Sequence, residues 1–265
     1  MSFESSVDRK EEATGISARI RAAKRFILTI LITGFSASIY FLLTLFYGYN
    51  RERFERHTKR WAKELINLLN IKVEFEGDIP HIAYLIVANH RSYIDIPVLY
   101  TILPGVFLAK KEVSRWPVLG FAARAAGTIF VERESLKSRA KARETILKRI
   151  HNGEKIYIFP EGTTSPGPKL LEFKSGIFKT ASENFLPILP VAIQYSDIRD
   201  AWLGNDTFIG HFFRTFSKKA IFVKVTFCKP LSGTDAQVLR DRTHKSISDN
   251  LPDFYEVSCA FESPT

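Results

Sequence analysis

A histidine followed five residues later by an aspartate, in Asn89-His90-Arg91-Ser92-Tyr93-Ile94-Asp95, is where this sequence could assemble acid–base chemistry. Imidazole titrates nearest neutral pH, which suits a general base. A carboxylate beside it can fix the ring's tautomer and stabilise the imidazolium. On one ideal helix, residues five apart point about 140° apart. The pair therefore meets best with His90 in a turn and Asp95 in the helix that follows. Two further features bring polar groups to the ends of apolar runs, and a third sets a proline within one. Gly127-Thr128-Ile129-Phe130-Val131-Glu132-Arg133 closes on an arginine, whose rigid fork suits a phosphate. Phe159-Pro160-Glu161-Gly162-Thr163-Thr164-Ser165-Pro166-Gly167 runs an apolar strand into a turn with an acid and hydroxyls, and Lys174 follows. Leu189-Pro190-Val191 sets a proline inside an apolar strand, which needs a local reason such as an edge or a bulge. Each feature alone also has a plain reading, as a surface polar pair, a solvated arginine or a Gly/Pro turn.

These residues need elements to position them. Residues 71–77 alternate like an exposed-edge strand, and short apolar runs follow at 82–89, 106–110, 127–131, 155–160, 188–195 and 220–227. Helical stretches lie between several of them. The clearest is 132–151, with Leu136, Ala140, Ile146 and Ile150 expected on one face. Strands alternating with helices predict an α/β fold, a largely parallel or mixed sheet of about seven strands flanked by helices. In such sheets ligands gather beyond the strand ends. The expected division is an N-terminal segment 1–70, an α/β domain 71–230 and a helical tail 231–265.

The chain has 265 residues, 45% hydrophobic and 25% charged, with a formal net charge of +10. Such a balance fits a packed globular protein with a basic surface, and excludes a disordered tail. Phe26 through Tyr49 carries no charge. As a helix it spans about 36 Å, enough for a hydrocarbon core of about 30 Å. Arg19, Arg21, Lys24 and Arg25 precede it, and Arg51, Arg53, Arg56, Lys59 and Arg60 follow. Basic residues on both flanks favour an anionic membrane surface over nucleic acid, and they blur the inside rule for orientation. Two arrangements fit: a spanning helix, or a helical pair with the amphipathic stretch 51–70 that dips into one leaflet. Cys228 and Cys259 have no metal spacing. No second histidine lies near His90, and His57, His81, His151, His211 and His244 are scattered and expected mostly at the surface, so no metal is implied.

Taken in order, the four features resemble the glycerolipid acyltransferase family, the group that includes 1-acyl-glycerol-3-phosphate acyltransferase. His90 and Asp95 match its His-x4-Asp block, Gly127, Phe130 and Arg133 its Gly-x-x-Phe-x-x-Arg block, Phe159 to Thr163 its Phe-Pro-Glu-Gly-Thr block, and Pro190 its proline-bearing strand. The blocks cover about 85–195, and the apolar N-terminal helix with its basic flank looks like bacterial members.

The resemblance implies that His90 deprotonates an acceptor hydroxyl, which attacks a thioester carbonyl directly, with Asp95 orienting His90. Arg133 would bind the acceptor's phosphate, and Glu161, Gly162 and Thr163 would shape its site. Lys174 would contact phosphate or donor; Asn89, Gly127, Phe130, Pro160, Thr164 and Pro190 would support. It implies no cofactor. The expected partners are a lysolipid acceptor, the anionic donors acyl carrier protein or coenzyme A thioester, and anionic membrane lipid. The expected place is a bacterial inner membrane with the site on the cytoplasmic side. The expected product is phosphatidic acid, formed at the sn-2 hydroxyl of 1-acyl-glycerol-3-phosphate. One departure bears on this: many members carry Arg where this chain has Thr164. That leaves room for another lysophospholipid or lyso-ornithine lipid, since similar Thr-Thr-Ser versions occur in bacterial relatives of both kinds. A lipid-binding scaffold would not need His90, Asp95 and Arg133 together, the long apolar segment argues against a nucleic-acid binder, and no Gly-x-Ser-x-Gly elbow supports a serine hydrolase.

Overall fold

The computed structural model describes residues 15–80, 85–165, 167, 169–204 and 206–251. The polar lead up to residue 14, His81, the start of the second apolar run at 82–84, Pro166, Cys259 and the C-terminal end lie outside the described residues. In chain order the elements are α1 (Ile16–Tyr47), α2 (Arg51–Leu69), β1 (Ile71–Glu76), β2 (Leu85–Ala88), α3 (Asp95–Tyr100), β3 (Val106–Lys110), α4 (Leu119–Ala125), β4 (Ile129–Val131), α5 (Leu136–His151), β5 (Ile156–Ile158), α6 (Gly176–Glu183), β6 (Ile188–Tyr195), α7 (Phe208–Phe216), β7 (Ile221–Phe227) and α8 (Ala236–Asp249).

The strands form one seven-stranded sheet in the order β1-β7-β6-β2-β5-β3-β4. All pairings are parallel except β6 with β7, so the sheet is mixed. β2, β5 and β6 are buried along their whole length, as near-continuous apolar runs covered on both faces should be. β1 is an edge strand, as its alternation predicts. Pro190 lies within β6, where pairing with β7 is interrupted between the Val191–Phe227 pair and the isolated Ile188–Leu231 bridge. A missing N–H there removes no ladder bond. On α5 the buried stripe is Ala142, Ile146 and Ile150, while Leu136 is 75% exposed. The expected face joined residues ten apart, which a helix sets about 80° out of phase.

α1 is long and apolar enough to cross a membrane, by length and composition. It does not stand clear of the domain. Ala18, Ala22, Arg25, Thr29, Thr33, Ala37 and Tyr40 form a buried stripe at helical spacing, and the helix packs on α2, α4 and α7. Its opposite face exposes Ile20, Ile27, Leu31, Phe35 and Phe46. α2 folds back along it. Trp61 Nε1 donates to Thr33 Oγ1 at 3.2 Å, His57 Nε2 lies 2.9 Å from Ser36 Oγ, and Tyr40 packs on Phe54. Arg25 has a job inside the protein: its guanidinium donates to the carbonyls of Phe216 (3.0 Å), Lys218 (2.6 Å) and Lys219 (3.1 Å). Phe216 is the last residue of α7, where a carbonyl lacks a helical partner and the helix dipole also favours a cation.

Candidate active site

The site begins where β2 stops. The Asn89 side chain takes over its pairing with β6: Nδ2 donates to the Ile193 carbonyl at 2.8 Å, and Oδ1 accepts the Ile193 N–H at 2.7 Å. A fully buried amide thus satisfies the neighbouring backbone while the chain turns away. His90 follows in that turn. Its Nδ1 lies 2.7 Å from Oδ2 of Asp95, the first residue of α3. With Nδ1–H donating to the carboxylate, the Nε2 lone pair is the free basic position. The His90 ring stacks on Phe159, centroids 4.0 Å apart and planes 11° apart. Its side chain remains 21% exposed, whereas that of Asp95 is fully buried. The expectation of His90 in a turn and Asp95 in the following helix describes the observed arrangement.

Asp95 is held from several sides. Oδ2 also accepts the backbone N–H groups of Arg91 (2.8 Å) and Ser92 (3.0 Å), and Oδ1 accepts the Tyr195 hydroxyl at 2.7 Å. Arg91 is buried beneath the turn, where Nη1 donates to Ser165 Oγ at 2.7 Å and to the Ser165 carbonyl at 3.2 Å. Burial lowers its pKa, against the pull of Glu161 and Asp95.

The turn after β5 closes on the same place. Glu161 is buried; Oε1 accepts the His90 N–H at 2.8 Å and Oε2 the Leu171 N–H at 2.9 Å. Its contacts are thus to backbone. Arg133, exposed beyond β4, donates to the Gly162 carbonyl and makes no ion pair with Glu161. Gly162 has φ of 76°, a left-handed backbone that glycine adopts without strain, and a Cβ there would come within 3.3 Å of Arg133 Nη1. Thr163 is exposed, while Thr164 donates its hydroxyl to the Trp202 carbonyl. Trp202 N–H in turn donates to the Arg91 carbonyl at 2.9 Å, so the segment after β6 is tied to both turns. Lys174 N–H donates to the Pro160 carbonyl at 2.9 Å while its side chain is exposed. Gly127 makes the positive-φ turn before β4, where Phe130 is half-buried. Among the described residues, no three His, Cys, Asp or Glu side chains gather as metal ligands would.

Behind the His90 turn lies a cavity of about 200 Å³, almost wholly apolar, between the α1–α2 pair and α3, α4 and α7. Tyr93, Ile94 and Ile96 line it from the turn, and Thr33, Trp61 and Phe212 from the helices. Tyr93 also meets His211, which is fully buried and not at the surface: its Nδ1 lies 3.0 Å from the Tyr93 hydroxyl and its Nε2 3.2 Å from the Asp200 carbonyl. Burial first, then Arg214, pushes the His211 pKa from 6.5 down to about 4. Below pH 6.5 the unfolded chain therefore binds a proton that the folded one refuses. Stability from this residue is expected to be complete above 6.5 and to drain away as pH falls to about 4. Melting temperatures across that window should show the slope, and His211→Gln should flatten it.

The residues missed by the sequence reading are Phe159 as the ring's support, Tyr195 on Asp95, and Trp202 with Arg91 beneath the turns. Phe159 and Arg91 stood inside the motifs, but nothing in their spacing gave them these partners.

A profile of the Acyltransferase family matches residues 70–194. Lyso-ornithine lipid O-acyltransferase of Pseudomonas aeruginosa is 32% identical over 200 residues, covering 73% of this chain and 77% of that protein. A 1-acyl-sn-glycerol-3-phosphate acyltransferase of Neisseria gonorrhoeae is 30% identical over 182 residues, covering 66% and 71%. The crystal structure of the 1-acyl-sn-glycerophosphate acyltransferase of Thermotoga maritima shares the fold, with a TM-score of 0.62 at 22% identity over 92% of this chain and 99% of that one. With its motifs in family order on that α/β frame, the chain belongs to the glycerolipid and lysophospholipid O-acyltransferase family.

Proposed function

We propose that the protein transfers a fatty acyl chain from a thioester, on acyl carrier protein or coenzyme A, to a lysolipid hydroxyl through a His90–Asp95 base. The observation that carries this is the 2.7 Å Nδ1–Oδ2 contact, made in a turn whose next residues line an apolar cavity. His90 Nε2 takes the proton as the hydroxyl oxygen bonds to the thioester carbonyl. The tetrahedral intermediate collapses by breaking the C–S bond, and His90 returns the proton to the departing thiolate. The oxyanion needs N–H donors. Those of His90, Arg91 and Ser92 already serve Glu161 and Asp95. Those of Thr163 and Thr164 donate to nothing among the described residues, which makes them the candidates. The apolar cavity suits an acyl chain, and the basic surface suits either anionic donor.

The acceptor we favour is a lyso-ornithine lipid. A phosphate monoester carries close to two negative charges, and Thr164 supplies no cation where many relatives have arginine. Arg133 at the lip suffices for a single carboxylate. Lysophosphatidic acid is the second reading, supported by Arg133 itself and by the Neisseria relative. For the membrane, we favour α1 lying in one leaflet of a bacterial inner membrane, with the site facing the cytoplasm. Its buried stripe runs from Ala18 to Tyr40, so crossing the bilayer would carry the domain with it. The experiment is acyl transfer by detergent-solubilised protein to lyso-ornithine lipid, lysophosphatidic acid and other lysophospholipids. Thr164→Arg is expected to raise kcat/KM for lysophosphatidic acid about tenfold relative to lyso-ornithine lipid, the worth of one charge-assisted hydrogen bond. Wild-type preference for lysophosphatidic acid would overturn the acceptor and keep the chemistry. No transfer to any acceptor from either donor would overturn the enzyme.

A further inference from the structure

We propose that Tyr195 is a positioning residue of the reaction, holding the Asp95 carboxylate so that its other oxygen faces His90; this rests on His90 acting as the base. Tyr195 ends β6 and is buried. Its hydroxyl donates to Asp95 Oδ1 at 2.7 Å across 100 residues of sequence. The remaining donors to Asp95 all converge on the other oxygen, Oδ2: His90 Nδ1, Arg91 N–H and Ser92 N–H. Rotation about the Cβ–Cγ bond moves both oxygens together, so a donor on Oδ1 from a different element opposes any turn of the carboxylate that would carry Oδ2 off His90 Nδ1.

The hydroxyl also withdraws charge. Each donor on a buried carboxylate spreads its negative charge, and the phenol takes its share on the side away from the imidazole. Burial, with Asp95 beside it, raises the Tyr195 pKa well above 10, so the phenol stays a neutral donor throughout the working range. The titratable and charged groups around the pair are His90, Arg91 and Tyr93 of the turn, Glu161 after β5 and Asp200 after β6. None of them donates to Oδ1 among the described residues. β6 thereby does two things for the turn. Its Ile193 backbone fixes Asn89 just before His90, and two residues on, its Tyr195 fixes Asp95 just after.

The test is Tyr195→Phe, which keeps the ring and removes the donor. The expected kcat falls about tenfold, the rate equivalent of one hydrogen bond to a charged group. KM for acceptor and donor stays within twofold, taking about twofold as the scatter of such comparisons. With less competition for its charge, Asp95 then stabilises the His90 imidazolium more, so the acid limb of the kcat/KM profile moves to higher pH. In an Asp95→Asn background, Tyr195→Phe has little further effect, because the two act through one bond. Site-specific 3-fluorotyrosine at 195 keeps the ring and strengthens the donor. Its acid limb moves to lower pH, which tests the inference even where the phenylalanine protein folds poorly. An unmoved acid limb in both proteins, or equal losses with and without Asp95, would overturn the role of Tyr195. Full activity in His90→Ala would instead overturn the base on which it rests.

Discussion

Alanine at His90 is expected to lower kcat by about a thousandfold, within the range a general base contributes, with KM for the lysolipid nearly unchanged. The ring touches Phe159 on one face and Asp95 through Nδ1, and its backbone N–H, which alanine retains, is what Glu161 holds. The turn should therefore survive the loss of the ring. A thermal melt close to wild type, beside labelled acyl transfer to the preferred lysolipid, separates a missing base from a missing fold. Persistent transfer at the wild-type rate would show that the hydroxyl loses its proton elsewhere.

Asp95 should divide into two effects that two substitutions can separate. Asparagine preserves shape. The Arg91 and Ser92 N–H groups still demand an oxygen where Oδ2 now lies, so the amide NH₂ turns toward the Tyr195 hydroxyl, which can accept. His90 keeps a hydrogen-bond acceptor and its tautomer but loses the charge that stabilises its imidazolium. A fall in kcat of about a hundredfold is expected, with folding retained. Alanine removes the oxygens as well. It strands two backbone N–H groups and a phenol in a fully buried place, at about 1–3 kcal/mol for each. Together that approaches the whole stability of a domain. Asp95→Ala should accordingly melt far below wild type or fail to fold, while Asp95→Asn melts near it. Equal melting temperatures for the two variants would mean that the carboxylate does not hold the turn together.

Distance along the chain separates what was legible in the sequence from what was not. His90 and Asp95 are five apart, and their arrangement needs only a turn followed by a helix, so local pattern sufficed. The alternation of strands and helices was legible for the same reason, because hydrophobic period is a local property. The basic flank before the apolar helix was legible as charge, but not as function. Arg25 turned out to cap α7 because chain far downstream ends a helix against it. Leu136 and Ala140 do not share the buried stripe of Ile146 and Ile150, because residues ten apart lie about 80° out of phase on a helix.

By itself the sequence determined the alternating α/β frame, the apolar helix, the pairing of His90 with Asp95, and the family to which the chain belongs. Tertiary structure decided what those residues touch. The mixed sheet lays β2 between β5 and β6, strands that come roughly seventy and a hundred residues later in the chain. That adjacency delivers Glu161 to the His90 backbone from one neighbour, and Tyr195 to Asp95 from the other. It also ties Thr164 to Trp202 and packs α1 along the domain instead of away from it. Spacing within a motif reports only the chain's own local geometry. Contacts between motifs depend on which strands lie side by side, and that is settled by packing the sheet as a whole.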